Sequence, residues 1–216
     1  MRTRVIIADD HTIIREGLKN LLELKGVDVV DIASNGREAI ALALAHKPDI
    51  VMMDIAMPDL NGVEAAATIH KKLPRTKIIA LSMCSNKKII DNMFASGACG
   101  YVLKDSAFDE IYIAIQEVKK GNYYLTPVIE RMYALEKEID FHSLKRTVPL
   151  WQISSKERQV LQLVAEGVKT RDIAQRLNIS HRTVENHRRN MMKKLNIFTI
   201  AGLTKFAIKE GLCALE

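Results

Sequence analysis

The sequence predicts two domains of different class: an α/β domain on a doubly wound, five-stranded parallel sheet in (βα)5 order, then a smaller all-α domain of four helices. Three observations lead there. Strand-like and helix-like patterns alternate five times over the first 120 residues. From residue 150 onward the pattern is helical only, punctuated by capping residues. The whole formal charge of +6 also lies in that last third, where residues 150–216 hold 12 Lys+Arg against 6 Asp+Glu and residues 1–149 balance. At 216 residues the chain exceeds a usual single domain.

Taken in order, Val5 to Ala8 is an apolar strand, and Thr12 to Leu24 is a helix with Ile13, Ile14, Leu18, Leu21 and Leu22 on one face. Val27 to Ala33 reads as strand and Gly36 to Ala45 as an alanine-rich helix. Ile50 to Asp54 reads as a strand buried on both faces, with Asp54 where it emerges into a turn supplied by Pro58 and Gly62. Gly62 to Leu73 is helix, Lys77 to Ser82 strand, and Lys87 to Ser96 a helix stopped before Gly97. Gly100 to Leu103 is a short strand, and Phe108 to Lys119 a helix ending at Gly121. Right-handed crossovers turn this alternation into a parallel sheet with helices on both faces.

Composition narrows the class. Apolar content of 48% with 27% charged residues belongs to a globular protein, and no apolar run approaches the roughly 20 residues that span a bilayer. No signal-peptide pattern opens the chain, so the expectation is a cytoplasmic protein with no membrane partner. Cys84, Cys99 and Cys213 show no metal spacing and read as small thiols. A basic end on a neutral body is the electrostatic footprint of a nucleic-acid-binding domain, or simply a solvated basic surface if no motif accompanies it.

Chemistry gathers at the carboxyl ends of the strands, the rim where open α/β sheets bind ligands. Asp9 and Asp10 close the first strand, Asp54 the third, Ser82 the fourth and Lys104 the fifth. Singly each has an ordinary reading: Asp9 and Asp10 as helix caps, Ser82 and Asp54 as turn residues, Lys104 as a loop lysine. Jointly they place three carboxylates together, which stay ionised only beside a cation. Mg²⁺ suits such a site, since it takes one or two carboxylates and keeps waters for a phosphate to replace. Phosphoryl transfer to Asp54 needs charge stabilisation that Lys104, Ser82 and backbone N–H groups also supply.

These residues carry a family resemblance. DDH at Asp9 to His11, REGL at Arg15 to Leu18, Asp54 with MPDLNG ending at Gly62, ALS at Ala80 to Ser82 and GYVLKD at Gly100 to Asp105 resemble the receiver domain of bacterial two-component response regulators, over residues 1–121. The resemblance implies Asp54 as phosphoacceptor, Asp9 and Asp10 as the acidic Mg²⁺ pair, Ser82 as switch hydroxyl, Tyr101 as switch aromatic and Lys104 as the phosphate-pairing lysine. Thr12 departs from the proline often found after DDH, outside the ligand set. On phosphorylation Ser82 would approach the new oxygens and Tyr101 would rotate into the vacated space, or Tyr101 simply packs the sheet edge. The output surface is expected on the fourth helix, fifth strand and fifth helix.

Residues 122–149 read as a linker bracketed by Pro127 and Pro149, with a helix from Val128 to Ile139. Residues 150–216 form the second domain. Ser154 and Glu157 make a capping box before the apolar run Val160, Leu161, Leu163, Val164, and Gly167 ends that helix. Thr170 to Leu177, with Ile173, Ala174 and Leu177 inward, turns through Asn178 and Ile179 into a helix from His181 to Leu195 capped by Ser180. This is a helix-turn-helix whose second helix sets Val184, Met191 and Leu195 inward and Glu185, Asn186, Arg188, Arg189 and Lys193 outward, a face that suits a major groove.

SSKERQVLQLVAEG, IAQRLNIS and TVENHRRNMMKKL in this stretch resemble the LuxR/FixJ-type DNA-binding domain, over residues 150–212. The resemblance implies base contacts from Glu185, Asn186 and Arg189, and backbone contacts from Lys169, Thr170, Thr183, Arg188, Asn190 and Lys193. Arg189 matches guanine, Asn186 adenine and Glu185 a cytosine amino group. His187 contacts phosphate or packs on the neighbouring helix. A last helix, Ile200 to Glu210, with Leu203, Phe206 and Ala207 on one side, supports dimerisation in the family or completes the four-helix core.

The expected function is a response regulator, not an enzyme, in which phosphorylation of Asp54 by a sensor histidine kinase or a small-molecule phosphodonor controls binding of a homodimer to double-stranded DNA. A haloacid-dehalogenase-like phosphatase also uses a strand-end Asp with Mg²⁺, but needs an acid two residues on, where this chain has Ala56. A constitutive DNA-binding protein has no use for the full set of Asp9, Asp10, Asp54, Ser82 and Lys104.

Overall fold

The structure, a computed structural model, describes residues 2–134 and 149–213. Six parallel strands, β1 (Arg4–Ala8), β2 (Asp28–Ala33), β3 (Ile50–Asp54), β4 (Lys77–Ser82), β5 (Gly100–Leu103) and β6 (Tyr124–Leu125), lie in the order β2-β1-β3-β4-β5-β6. Helices α1 (Thr12–Leu24) and α5 (Phe108–Lys120) cover one face; α2 (Gly36–His46), α3 (Gly62–Lys72) and α4 (Lys87–Ala95) cover the other. Strand alternation divides the core accordingly: Val5 and Ile7 point to the α1–α5 side, Ile6 and Ala8 to the α2–α4 side. Every residue of β3 is buried, so the strand that ends in Asp54 is the rigid centre of the sheet.

Two expectations change. The five predicted strands are present, but β6 extends the sheet, pairing Tyr124 with Gly100 and Leu125 with Tyr101. Two residues are too few to show a period in sequence. On α1, Leu18 and Leu22 are buried and Ile14 partly so, whereas Ile13 is 88% and Leu21 42% exposed. The five apolar residues span a wider arc than the strip of helix the sheet covers.

After β6 the chain enters α6 (Pro127–Ala134), with Pro127 at its first position, where a missing N–H costs nothing. The helix expected from Val128 thus begins one residue earlier; its continuation to Ile139 lies outside the described residues. Ile129 and Tyr133 are buried, and the Tyr133 hydroxyl donates to Asp91 Oδ1 of α4 at 2.7 Å. This chain's own β6 and α6 therefore lie against β5 and α4, two of the elements of the expected output face.

The second domain opens with a 3-10 turn, Pro149–Gln152, followed by α7 (Ser155–Ala165), α8 (Thr170–Leu177), α9 (His181–Leu195) and α10 (Ile200–Lys209). The capping box forms: Ser154 Oγ accepts from Glu157 N, and Glu157 Oε2 accepts from Ser154 N at 2.7 Å. Asn178 takes the left-handed conformation (φ 52°) that turns α8 into α9. Val160, Leu161, Leu163, Ile173, Val184, Met191, Leu203 and Ala207 close the core, each fully buried large aliphatic side chain stabilising by about 1.5–3 kcal/mol. Leu195, Ala174 and Phe206 are only half-buried at its margin.

Candidate phosphoacceptor pocket and nucleic-acid interface

The strand ends bring the acidic residues together as expected. Oxygens of Asp9, Asp10 and Asp54 and a ring nitrogen of His11 all lie within 4.8 Å of one another. Lys104, 5% exposed at its side chain, bridges Asp9 Oδ2 at 2.8 Å and Asp54 Oδ2 at 2.9 Å. Asp54 Oδ1 accepts from Ile55 N at 2.8 Å. The β3–α3 loop can close this tightly because residue 62 is glycine: a Cβ there would meet Asp54 O at 2.0 Å. The Asp54 carboxyl is raised to about 6 because burial, with help from Asp9 and Asp10, outweighs the pull of Lys104 in the other direction. Burial works against the Lys104 ammonium, but Asp54 and Asp9 outweigh it and hold the lysine charged.

The donor set fits a hard divalent cation. Asp10 Oδ1 is buried without a hydrogen bond and faces only the His11 ring, at 2.9 Å. Asp9 Oδ2 likewise meets nothing but the Lys104 charge. Carboxylate oxygens left this way are what a cation with oxygen ligands satisfies. Sequence reasoning passes over His11 as a member of the cluster, although DDH places it two residues from Asp9.

Ser82 is buried, and its Oγ accepts from Cys84 N at 3.0 Å. Tyr101 is fully buried; its hydroxyl donates to Cys84 O at 2.6 Å beside the Ser82 hydroxyl, and burial pushes its pKa well above the usual phenol value. The Tyr101 carbonyl accepts from Thr126 N at 3.1 Å, so this residue joins the β4 end to the linker. Leu103 N also donates to Thr126 Oγ1 at 3.1 Å.

On α9, Asn186, Arg189, Asn190 and Lys193 line the outer surface, with Lys169 at the start of α8. Glu185 and Arg188 are half-buried and pair with each other at 2.8 Å, and both approach Thr170 Oγ1. Thr183 is half-buried, its hydroxyl 2.7 Å from the capping Ser180 Oγ. His187 is also half-buried. In the free chain Glu185 is thus committed to Arg188, and a base contact requires that pair to open.

The two domains pack together on the loop that follows Asp54, a feature sequence reasoning does not find. Gln162 of α7 accepts from Asn61 N and Asn61 Nδ2 at 3.0 and 2.9 Å and donates to Met57 O at 3.1 Å. Arg158 forms a buried ion pair with Glu64, which also accepts from Ser155 Oγ at 2.7 Å. Arg176 pairs with Asp59 at 2.6 Å, and Glu210 accepts from Asn92 and pairs with Lys88 of α4. The one available signal is Gln162 itself, a polar residue inside the apolar run from Val160 to Val164.

Comparison with known proteins places this architecture. Residues 5–116 match the family described as response regulator receiver domain, and residues 152–207 the bacterial regulatory proteins of the luxR family. The chain belongs to the two-component response regulators of this receiver-plus-LuxR type, transcription regulators whose DNA binding is controlled by phosphorylation of the receiver. It is 34% identical to the response regulator UvrY of Escherichia coli K12 over 98% of this chain and 96% of that one. Among solved structures, RcsB from Salmonella enterica serovar Typhimurium, bound to promoter rprA in the presence of phosphomimetic BeF3-, superposes with a TM-score of 0.62 at 25% identity, covering 95% of this chain and 98% of that one. A structure of two RcsB dimers bound to two parallel DNAs gives a TM-score of 0.59 at 27% identity, covering 97% and 99%. Among the described residues no helix is long and apolar enough to cross a membrane.

Proposed function

We propose that Asp54 is the phosphoacceptor and that its phosphorylation, by a sensor histidine kinase or a small phosphodonor, changes how the second domain is held. The observation that carries this is the bridge of Lys104 between Asp9 and Asp54 in a buried acidic pocket. An Asp54 oxygen attacks phosphorus, the bond from phosphorus to the donor breaks, and an acyl phosphate remains; the chain acts as acceptor and regulator rather than as a turnover enzyme. Asp9, Asp10 and Asp54 would hold Mg²⁺, which when bound neutralises charge on the phosphoryl oxygens. Lys104 transfers its pairing to the new oxygens, and the Ser82 hydroxyl donates to them once it turns.

The reaction is coupled to output through short connections. Met57, Asp59 and Asn61 lie on the loop that begins at Ile55, and each bears a contact to α7 or α8. On the other side, movement of Ser82 and Tyr101 reaches α6 through Thr126. The receiver comprises residues 1–121, the linker 122–149 and the DNA-binding domain 150–216. Glu185, Asn186 and Arg189 read bases, while Lys169, Thr170, Thr183, Arg188, Asn190 and Lys193 hold the backbone of double-stranded DNA. The active species is a homodimer; RcsB, similar over nearly the whole chain, is bound to DNA as dimers. It works in the cytoplasm, where the DNA is. Selection of bound sequences from random DNA, with and without acetyl phosphate and Mg²⁺, tests the reading: one enriched site, bound more tightly with phosphodonor, supports it, and no enrichment refutes it.

A further inference from the structure

We propose that Arg15, braced by Thr12, is a positioning residue for the cation site: it fixes the backbone that carries Asp10 and so sets how tightly the pocket takes Mg²⁺. The inference rests on the reading of Asp9, Asp10 and Asp54 as the residues that hold Mg²⁺, and adds a pair of residues outside that set.

Asp9 and Asp10 are held in different ways. Asp9 is fully buried and bonded through backbone and side chain alike: its N donates to Ala33 O at 3.0 Å, its Oδ1 accepts from His11 N at 2.9 Å, its Oδ2 meets Lys104, and its carbonyl accepts from Arg15 Nη1. Asp10 has 32% of its side chain exposed, and its buried Oδ1 has no hydrogen bond. What aims that carboxylate is the backbone on either side of it. The peptide before Asp10 is anchored by Arg15 through the Asp9 carbonyl, and the peptide after it by Asp9 through His11 N. Peptide units are planar, so fixing both planes fixes φ and ψ of Asp10, and with them the direction in which its side chain leaves the backbone. The second anchor comes from within the ligand set; the first comes from Arg15.

The place of Arg15 is otherwise unfavourable. It is the fourth residue of α1, a helix with no acidic residue in its first turn, and a cation near a helix N-terminus works against the dipole. The guanidinium turns back over the helix start, with Nη1 on the Asp9 carbonyl and Nη2 on Thr12 Oγ1 at 3.3 Å. Its planar fork spans two acceptors in a set geometry, which a lysine ammonium does not. Position 12, where the receivers this chain resembles often carry proline, thus supplies the second acceptor. Proline would stiffen the turn by fixing φ; Thr12 stiffens it through Arg15 instead. The backbone suits either, because Thr12 is the first residue of α1 and His11 before it is extended, with φ −81° and ψ 105°.

Mn²⁺ titration of the full chain without phosphodonor, read by loss of the free-ion EPR signal and by displacement with Mg²⁺, tests this. Arg15→Ala should bind about tenfold more weakly, the low end of what removing a group behind a metal ligand costs. Thr12→Ala, at an exposed side chain, should weaken binding about threefold, and no further in the Arg15→Ala background. Thr12→Pro should bind like the unaltered chain, and Arg15→Lys, which keeps the charge without the fork, should recover little. With acetyl phosphate, the Mg²⁺ concentration for half-maximal phosphate uptake should rise about tenfold in Arg15→Ala while the maximal rate stays as it was. Melting temperatures without metal show whether the variants are folded. If Arg15→Ala does not fold, Thr12→Ala decides, and unweakened cation binding there overturns the proposal. Unchanged binding in a folded Arg15→Ala, full restoration by Arg15→Lys, or a loss confined to the maximal rate also overturns it. A chain that binds Mn²⁺ through Arg15 yet takes no phosphate supports this inference and refutes the phosphorylation reading. A chain that takes phosphate with the same Mg²⁺ dependence in Arg15→Ala refutes this inference alone.

Discussion

Asn61 and Gln162, 101 residues apart, share one carbonyl oxygen: Gln162 Oε1 accepts from both the backbone and the side-chain nitrogen of Asn61. Asn61 Oδ1 meanwhile accepts from Glu64 N, so one side chain caps α3 and docks the second domain. The start of α3 and the DNA-binding domain are therefore set by the same few atoms. All of them lie within ten residues of Asp54 in the sequence on the receiver side.

Glu64→Ala should open the two domains. Breaking a buried ion pair within a single core costs about 3–5 kcal/mol, because the remaining charge cannot reach water. Arg158 lies at a domain boundary, where undocking restores its hydration and caps the cost. The expected outcome is a larger radius of gyration in small-angle scattering with both folds retained; an unchanged radius would show that the pair does not hold the domains.

Asp54→Asn should take up no acid-labile phosphate from acetyl phosphate and Mg²⁺. The amide is uncharged and a poor nucleophile, but matches the carboxylate in size. Full incorporation in that variant would move the site elsewhere.

Arg189→Ala should weaken specific binding by about 1–3 kcal/mol and relax selectivity at one base position. Lys193→Ala should weaken all sequences alike. A competition assay against single-base variants of the selected site distinguishes the two, and unchanged selectivity without Arg189 would mean that α9 enters the groove another way.

Affinity should fall steeply as salt rises, since released counterions supply much of the binding free energy. Neutralising Lys169, one of the proposed backbone contacts, should flatten the slope of log K against log salt by about one unit. Fluorescence anisotropy between low and physiological salt measures this, and a flat response would remove DNA as the partner.

Acid should loosen the second domain through Glu157. Burial pushes this carboxyl up, but Lys194 and Ser154 more than offset it and hold it below the usual glutamate value. A depressed carboxylate contributes stability above its unfolded pKa and loses it as pH falls through the lower folded value. Glu157→Gln should remove that part of the acid loss in thermal melts, while Ser154→Ala costs about 1 kcal/mol at neutral pH.

Strands ending in Asp54 and Ser82, and the α9 helix from His181 to Leu195, are legible because buried strands, glycine stops and capping residues are local signals. The gathering of Asp9, Asp10, Asp54 and Lys104 follows from topology alone, since a parallel sheet puts every strand's carboxyl end on one rim. What the sequence hides is non-local. Nothing near Glu64 foretells Arg158, and nothing near Tyr124 shows that two residues will lengthen the sheet. Ile13 reads as inward because periodicity marks an apolar arc without marking how much of it the sheet reaches. Glu185 shows its outward setting but not its pairing with Arg188, which depends on rotamers in the free protein.

Thr126 hangs from Tyr101 by its backbone nitrogen and grips Leu103 with its hydroxyl, so the near end of the tether is pinned to β5, the strand that carries Tyr101. A cord fastened this way has no slack at its anchor: a displacement of β5 acts directly as a pull on the root of α6. Inserting residues after α6 would lengthen the leash yet leave that first tug intact, whereas an insertion between Gly121 and Thr126 would cut the transmission at its source.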